Sequence, residues 1–237
     1  MVGKLIVIEG TDCSGKETQS KLLVDFLNKK GVKAIRFAFP NYNSPTGKII
    51  AGPYLGKEGF LPPVFDEGSV NVEPYCACLL YAMDRRYNIG AINEKLSQGY
   101  VVVLDRYVES NMAFQGARIQ DRKDRVKLYD FIDKLEYNML ELPRSNKTIF
   151  LHMPAWASAI LKRGRAEKLD QNEVDEEYLK RTEKVYFELA DMYNWKTISC
   201  ISDNNIKTPV QINNMLCEYV MELIDEKCAC DSVIDKK

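Results

Sequence analysis

The sequence predicts an α/β fold in which a central parallel sheet of five strands is flanked by helices on both faces, giving three layers. Two observations lead to this class. Five short β-rich apolar runs alternate along the chain with longer segments of helical period. The runs are nearly continuous in apolar character, which is typical of parallel strands covered on both faces. They span residues 5–8, 34–39, 100–104, 148–151 and 197–201.

Helical periodicity fills the intervals between these runs. After a first helix that begins near Lys16 and ends at Gly31, helices are predicted at about residues 73–98, 124–141, 154–162, 175–193 and 209–226. Residues 41–70 are rich in proline and glycine and predict a long irregular excursion, which compact domains rarely keep without a use. We expect one domain over residues 1–226 and a flexible tail at 227–237.

Composition argues against several classes of protein. The 237 residues include 33 basic and 34 acidic side chains, and a formal net charge of −1 disfavours a general nucleic-acid-binding protein. No apolar run approaches the roughly 18 to 20 residues that span a bilayer, so no membrane partner is expected. The seven cysteines form no C-x-x-C pair, which predicts reduced thiols in a cytoplasmic protein.

A phosphate-binding loop is predicted directly after the first strand. The segment GTDCSGK fits the pattern G-x-x-x-x-G-K through Gly10, Gly15 and Lys16. In this pattern the glycines turn the backbone so that N–H groups point at phosphate oxygens, while the helix N-terminus and the lysine add positive charge. The candidate nucleotide-binding residues are Gly10, Thr11, Asp12, Cys13, Ser14, Gly15, Lys16, Glu17 and Thr18.

Glu17 departs from the usual pattern, which has a serine or threonine hydroxyl on Mg²⁺ at this position. Thr18 does not replace that hydroxyl, because the next residue along a helix is rotated by about 100°. Either Glu17 binds the ion directly or through water, or it faces solvent while Asp12, Asp105 and the substrate phosphates hold the ion. We favour the second arrangement, since Mg²⁺ keeps several waters and tolerates the loss of one ligand.

Further motifs narrow the class. The third strand ends in Asp105-Arg106-Tyr107, followed by SNMAFQGA, at the sheet edge where open α/β folds bind ligands. Together with IEGTDCSGKETQ, AFPNYN, LLYAMDRR and KRGRAEK, these segments resemble thymidylate kinases in order and spacing from residue 5 to about residue 201.

The resemblance implies a P-loop kinase fold with a short mobile lid at about residues 162–178, and a homodimer. It also implies transfer of the γ-phosphoryl group of ATP to dTMP with Mg²⁺, which gives dTDP for dTTP synthesis. Because the acceptor is an ionised phosphate oxygen, no strong general base is needed. Catalysis then consists of positioning and charge neutralisation.

For the phosphate groups, the resemblance implies that Arg106 holds the acceptor phosphate, although an ion pair with Asp105 is the structural alternative. Asp105 would be a water-mediated Mg²⁺ ligand, and Asp12 would contact the sugar 3′-hydroxyl near the metal. Other members carry F-P-x-R after the second strand, where this chain has FPNY. Tyr42 offers one neutral hydrogen bond in place of that arginine, so Arg106 must carry more of the charge.

The same resemblance implies a nucleoside pocket. Tyr81 and Arg85 lie four residues apart and share a helix face. Tyr81 would stack on the thymine ring, and Arg85 would donate a hydrogen bond to a base carbonyl. The alternative for Tyr81 is a place in the core, where an aromatic residue on a helix more often lies. Asn111 can pair with the pyrimidine edge. Phe114 would leave no room for a ribose 2′-hydroxyl and so would select deoxyribose. The alternative is that the Phe114 ring only packs against other side chains. The other candidates around this pocket are Phe39, Tyr107, Ser110 and Gln115, the last of which could instead order a loop.

Arg163 and Arg165 lie on the segment that corresponds to the lid. In members without an arginine in the phosphate loop, lid arginines close over ATP and stabilise the transferring phosphoryl group. This chain has no arginine in that loop, so both are catalytic candidates alongside Asp12, Lys16 and Arg106. A solvated basic helix end is the alternative.

Two other functions remain open. A broader deoxynucleoside monophosphate kinase is one, because dUMP lacks only the methyl group of dTMP, and an apolar pocket discriminates one methyl group by about 10- to 200-fold. A catalytically weak nucleotide-binding protein is the other, since Glu17 and Tyr42 both depart from the usual set.

Overall fold

Five parallel strands form the central sheet, and each arises from one of the apolar runs. The computed structural model describes residues 3–163 and 176–234. The strands are β1 (Lys4–Glu9), β2 (Ala34–Ala38), β3 (Val101–Asp105), β4 (Lys147–His152) and β5 (Lys196–Ser199), in the order β2-β3-β1-β4-β5. All neighbouring pairs are parallel, so the predicted sheet is confirmed.

Helices connect the strands and cover the sheet. They are α1 (Lys16–Lys29), α2 (Pro45–Ile49), α3 (Pro74–Ser97), α4 (Val108–Gly116), α5 (Arg122–Asp133), α6 (Ala155–Arg163), α7 (Glu176–Met192) and α8 (Pro209–Ile234). Two π-helical segments, Ile50–Tyr54 and Lys134–Met139, continue α2 and α5, and a 3-10 turn spans Ser69–Asn71. Strands β6 (Ile201–Ser202) and β7 (Asn205–Ile206) form a small antiparallel ribbon.

Alternation along β1 divides the core into two layers. Leu5 and Val7 point to a cluster shared with α3, α4, α5 and α7. Ile6 and Ile8 point to the opposite side, where α1 and α8 pack. Successive side chains of a strand face opposite sides of the sheet, so one continuous apolar run supplies both layers. The three-layer prediction is therefore confirmed.

Helix boundaries follow the predictions closely, with four differences. α2 and the π-helical segment that continues it lie within the excursion that was predicted to be irregular. α4 was not predicted, because it is buried almost all round and shows no amphipathic stripe. The helix predicted at 124–141 changes to π-helical geometry at Lys134. α8 runs to Ile234, beyond the predicted end at residue 226, and the flexibility of residues 227–237 stays a prediction.

The excursion after β2 is fastened to α3 by Asp84. This buried carboxylate accepts hydrogen bonds from the backbone N–H of Asn41 at 2.8 Å, from Ser44 Oγ at 3.0 Å and from Thr46 Oγ1 at 2.7 Å. Residues 41–46 therefore have a fixed position beside the carboxyl edge of the sheet. Within the described ranges, no helix is both long and apolar enough to cross a membrane.

Candidate active site

The loop between β1 and α1 opens into a cavity of about 1400 Å³ at the carboxyl edge of the sheet. Gly15 has φ of 82°, where a side chain would be strained. A Cβ atom on Gly10 would lie 2.6 Å from the carbonyl oxygen of Leu151. No side chain caps α1 at Gly15, so the first-turn N–H groups suit an anion.

Lys16 is buried at the floor of this loop. Its Nζ atom donates to the carbonyl oxygen of Thr11 at 2.7 Å and to Ser14 Oγ at 3.3 Å. Burial, and next the positive charge of Arg106, lower the pKa of Lys16 from 10.5 to about 8. A bound anion would remove much of this penalty, because it would neutralise both cations.

Arg106 faces Lys16 from the end of β3. Its backbone adopts the left-handed conformation, with φ of 65°. This conformation costs free energy in a residue other than glycine, and residues held in it are found most often at functional sites. The guanidinium donates through Nη1 to the carbonyl oxygen of Gly10 at 3.3 Å and forms an ion pair with Asp12. Burial disfavours its charge, but the Asp12 carboxylate raises the pKa of Arg106 above its ordinary value.

The aspartates at the cavity are each paired with an arginine. Asp12 forms an ion pair with Arg106. The structural alternative for Arg106 had been an ion pair with Asp105, so its partner is a different aspartate. Asp105 accepts from Nη2 of Arg36 at 2.6 Å. Sequence reasoning missed Arg36, since an arginine inside a short strand carries no motif. By contrast, Glu17 has a 65% exposed side chain and pairs with Lys21 at 2.6 Å along α1.

Glu9 anchors the segment that carries Arg106, and sequence reasoning missed this residue as well. The fully buried carboxylate accepts from the backbone N–H of Tyr107 at 2.9 Å, from Ser110 Oγ at 2.6 Å and from Tyr186 Oη at 2.8 Å. It therefore ties the start of α4 to β1. The sequence did contain one signal for Glu9, since this charged residue directly follows the apolar run at residues 5–8.

The far end of the cavity contains the predicted nucleoside residues. Arg85 is 2% exposed and is held by Glu136 through two hydrogen bonds, one of them from Nη2 at 2.6 Å. Its Nη1 atom donates to the carbonyl oxygen of Tyr107 at 3.3 Å. Tyr81 packs edge-on against Tyr54 at 5.7 Å between ring centroids. The cavity lining brings together Phe39, Tyr42, Tyr81, Arg85, Tyr107, Ser110, Asn111, Phe114 and Gln115.

Aromatic residues form the middle of the cavity wall. The Arg106 guanidinium lies 5.0 Å from the centroid of the Phe114 ring, and Tyr178 packs against the same ring. The Tyr42 ring lies beneath Lys57 Nζ at 5.2 Å. The Tyr107 hydroxyl donates to the carbonyl oxygen of Pro143 at 3.1 Å, so its polar end is used in packing.

The segment predicted to be a lid, at about residues 162–178, falls mostly outside the described residues. Arg163 is the last described residue of α6, and Arg165 lies outside the described ranges. Leu161, on the same helix, lines the cavity, so α6 leads from the cavity toward this segment.

An anion site at the start of α1, with the partly buried guanidinium of Arg106 facing it, suits an enzyme that moves a phosphoryl group between two phosphorylated molecules. The fold places such an enzyme among the P-loop kinases. The model of the thymidylate kinase family matches residues 8–208, so the chain belongs to that family and is a phosphotransferase.

Individual relatives agree with this assignment. The chain is 33% identical over 192 residues to a thymidylate kinase of Mycobacterium tuberculosis, covering 78% of this chain and 85% of the relative. It is 30% identical over 226 residues to a probable thymidylate kinase of Thermococcus kodakarensis, covering 94% and 99%. The solved thymidylate kinase of Candida albicans, at 23% identity, superposes with a TM-score of 0.70 over 93% of this chain and 92% of that one, which shows the shared fold.

Proposed function

We propose that the protein transfers the γ-phosphoryl group of ATP to dTMP, with the two nucleotides meeting end to end in the cavity between Lys16 and Arg106. One observation carries the placement. Lys16 Nζ and Arg106 Nη1 rest on consecutive backbone carbonyls of the same loop, those of Thr11 and Gly10. Family membership supports the choice of ATP and dTMP.

Phosphate oxygens would replace these carbonyls as partners of the two cations. The loop N–H groups and Lys16 would bind the ATP phosphates, and Arg106 would hold the dTMP phosphate in line with them. Neutralising two cations that repel each other favours binding of both anions together. We assign no general base, because the attacking phosphate oxygen is already ionised. The reaction then depends on positioning and charge neutralisation.

The donor set fits a magnesium ion that arrives with the phosphates. Among the described side chains, no group of three or more His, Cys, Asp or Glu residues is placed to hold a metal. Mg²⁺ is usually held by one or two carboxylates together with phosphates and water. Asp105 and Asp12 are the carboxylates that would serve, directly or through water. When bound, the ion neutralises phosphate charge as it develops.

The exchange Glu17→Ser tests the remaining metal candidate. The exposed Glu17 side chain pairs with Lys21, so we expect the Mg²⁺ concentration for half-maximal activity to change less than about twofold. A Mg²⁺ titration at saturating ATP measures this. Lys21→Ser, which removes only the partner, is the matched control. A shift of tenfold or more in Glu17→Ser alone would mean that Glu17 binds the metal.

The nucleoside end of the cavity suits the acceptor. Tyr81 would stack on thymine, and Phe114 would exclude a 2′-hydroxyl, with Gln115 beside it. Release of Asp12 from Arg106 would leave it to contact the sugar 3′-hydroxyl or the metal. We further propose that residues 162–178 form a lid whose Arg163 and Arg165 close over ATP, and that residues 1–226 act as one domain.

A coupled assay of ADP release across dTMP, dUMP, dGMP and dCMP, with a Mg²⁺ titration, tests the proposed function. We expect dTMP to have the highest kcat/KM. Similar values for all four would favour the broader deoxynucleoside monophosphate kinase. ATP binding without turnover of dTMP at any Mg²⁺ concentration would favour a nucleotide-binding protein.

We also propose a cytoplasmic homodimer. Five described cysteines are free thiols, which supports a reducing compartment: Cys13, Cys76, Cys78, Cys200 and Cys217. On α3, four apolar residues spaced four apart are exposed, namely Tyr75, Leu79, Met83 and Tyr87. This stripe faces away from the buried side of α3, so it suits contact with a second copy.

The exchange Leu79→Glu tests the dimer. A charge on the exposed α3 stripe would be desolvated in the interface, so we expect the molar mass by light scattering to fall from two chains to one. Val210→Glu, at another exposed apolar position, is the matched control. An unchanged dimer in Leu79→Glu would place the interface elsewhere.

A further inference from the structure

The amide of Asn111 has one orientation that its surroundings permit. Its Nδ2 atom donates to the carbonyl oxygen of Cys78 at 3.1 Å and to Glu136 Oε1 at 2.9 Å. Both partners accept and neither donates, since Glu136 is a carboxylate held by Arg85. A rotated amide would set its own oxygen against two other oxygens. The nitrogen must therefore face Glu136.

This orientation leaves the Asn111 oxygen without a partner. Oδ1 is buried and accepts no hydrogen bond from the described residues, while the residue itself lines the cavity. A buried acceptor that is left unpaired costs free energy comparable to a lost hydrogen bond. We therefore expect a ligand in this site to donate a hydrogen bond to Asn111 Oδ1.

Glu136 also fixes the second polar group of the pocket. It binds Nε and Nη2 of Arg85, and a guanidinium offers donors and no acceptor. The pocket thus presents a donor from Arg85 and an acceptor from Asn111. A thymine edge is complementary to this pair, because it has an acceptor at O4 beside a donor at N3–H. Cytosine reverses both, with an amino group at C4 and an acceptor at N3.

We propose that Glu136 is a positioning residue that determines base specificity by orienting Asn111 and Arg85. In this orientation the pocket accepts pyrimidines with an N3–H donor and rejects pyrimidines with an N3 acceptor. The proposal rests on the proposed function, since it requires the acceptor base to lie in this pocket. Glu136 itself is fully buried, so it would act on the base only by orienting Arg85 and Asn111.

The exchange Glu136→Gln tests this role with dTMP and 5-methyl-dCMP, which share methyl group, sugar and phosphate and differ only at positions 3 and 4 of the base. A site that hydrogen-bonds its substrate rejects the mismatched analogue by about 10⁴-fold or more. We expect wild-type kcat/KM to favour dTMP by at least about 10³-fold. In Glu136→Gln, whose amide can donate to Asn111 Oδ1, we expect this ratio to shrink by about 10- to 100-fold.

Glu109→Gln is the matched control. Glu109 is another buried glutamate, and it accepts from Thr148 Oγ1 at 2.9 Å on a different side of α4. We expect the dTMP preference of this variant to equal that of the wild type. Melting temperatures of both variants report general destabilisation, which would lower activity on the two nucleotides in proportion and leave the ratio unchanged.

An unchanged ratio in folded Glu136→Gln contradicts the positioning role, even if both activities fall. Should that variant not fold, Glu136→Asp decides, because it keeps the charge but withdraws the carboxylate by one methylene; a wild-type ratio there also contradicts the role. Failure of the proposed function looks different. The wild type would then fail to phosphorylate dTMP, or would use both nucleotides equally.

Discussion

Replacing Arg106 by methionine is expected to lower kcat/KM for dTMP by about 10³-fold, with losses in both kcat and acceptor affinity. Arg106 is the cation nearest to Lys16 at the cavity, and 18% of its side chain is exposed. Removal of one charge that stabilises a transferring phosphoryl group costs about 10³- to 10⁵-fold in related chemistry. Methionine keeps much of the apolar stem that lies over Phe114. Steady-state kinetics with ATP and dTMP varied separately measure the change.

Arg144→Met is the matched control for Arg106→Met. Arg144 also lies over an aromatic ring, that of Tyr137 at 4.1 Å, and pairs with Asp133 at 2.7 Å. It does not line the large cavity, so we expect its kcat/KM to stay within about twofold of the wild type. Equal losses in the two variants would mean that Arg106 acts through stability and not at the acceptor phosphate.

Replacing Lys16 by methionine is expected to reduce kcat by about 10³-fold and, at the same time, to stabilise the nucleotide-free protein. The pKa of Lys16 falls from 10.5 to about 8, which corresponds to about 3 kcal/mol of penalty for its charged form. Methionine removes that penalty but also the hydrogen bonds to Thr11 and Ser14. We therefore expect a net gain of about 1 to 2 kcal/mol in the free energy of unfolding at pH 7.

The pH dependence of this gain has a definite sign. Between pH 8 and 10.5 the unfolded chain keeps a proton on Lys16 that the folded chain has released, so the stability of the wild type rises with pH in that window. The advantage of Lys16→Met should then shrink as the pH rises from 7 to 9.5. Urea denaturation at the two values measures it, with Lys29→Met on the same helix as control. A less stable Lys16→Met protein at pH 7 would contradict the assigned penalty.

Elements with local signals could be predicted from the sequence. The strands, the loop and the position of Arg106 follow from apolar runs, glycine spacing and the motif at the end of β3. α4 could not be found this way, because it is buried almost all round and carries no helical stripe. Its burial is a tertiary property that depends on packing from several elements.

The residues that organise the site were missed for a related reason. Glu9, Arg36 and Glu136 act by pairing with residues far away in the chain, at separations that a single sequence does not reveal. Arg85 was predicted as a base contact, yet its fixed orientation depends on Glu136 in a π-helical segment. Sequence identifies the groups that carry charge, whereas the structure shows which partners orient them.

A crystal structure with a bisubstrate analogue, in which adenosine and thymidine are joined through their 5′-phosphates, tests the central claim most directly. We predict that Lys16 Nζ and the Arg106 guanidinium leave the carbonyls of Thr11 and Gly10 and bind neighbouring phosphates of one chain, with thymine beside Asn111. The account is contradicted if the two cations contact separate, unconnected sites, or if Arg106 stays on Gly10 and Asp12 while the analogue is bound.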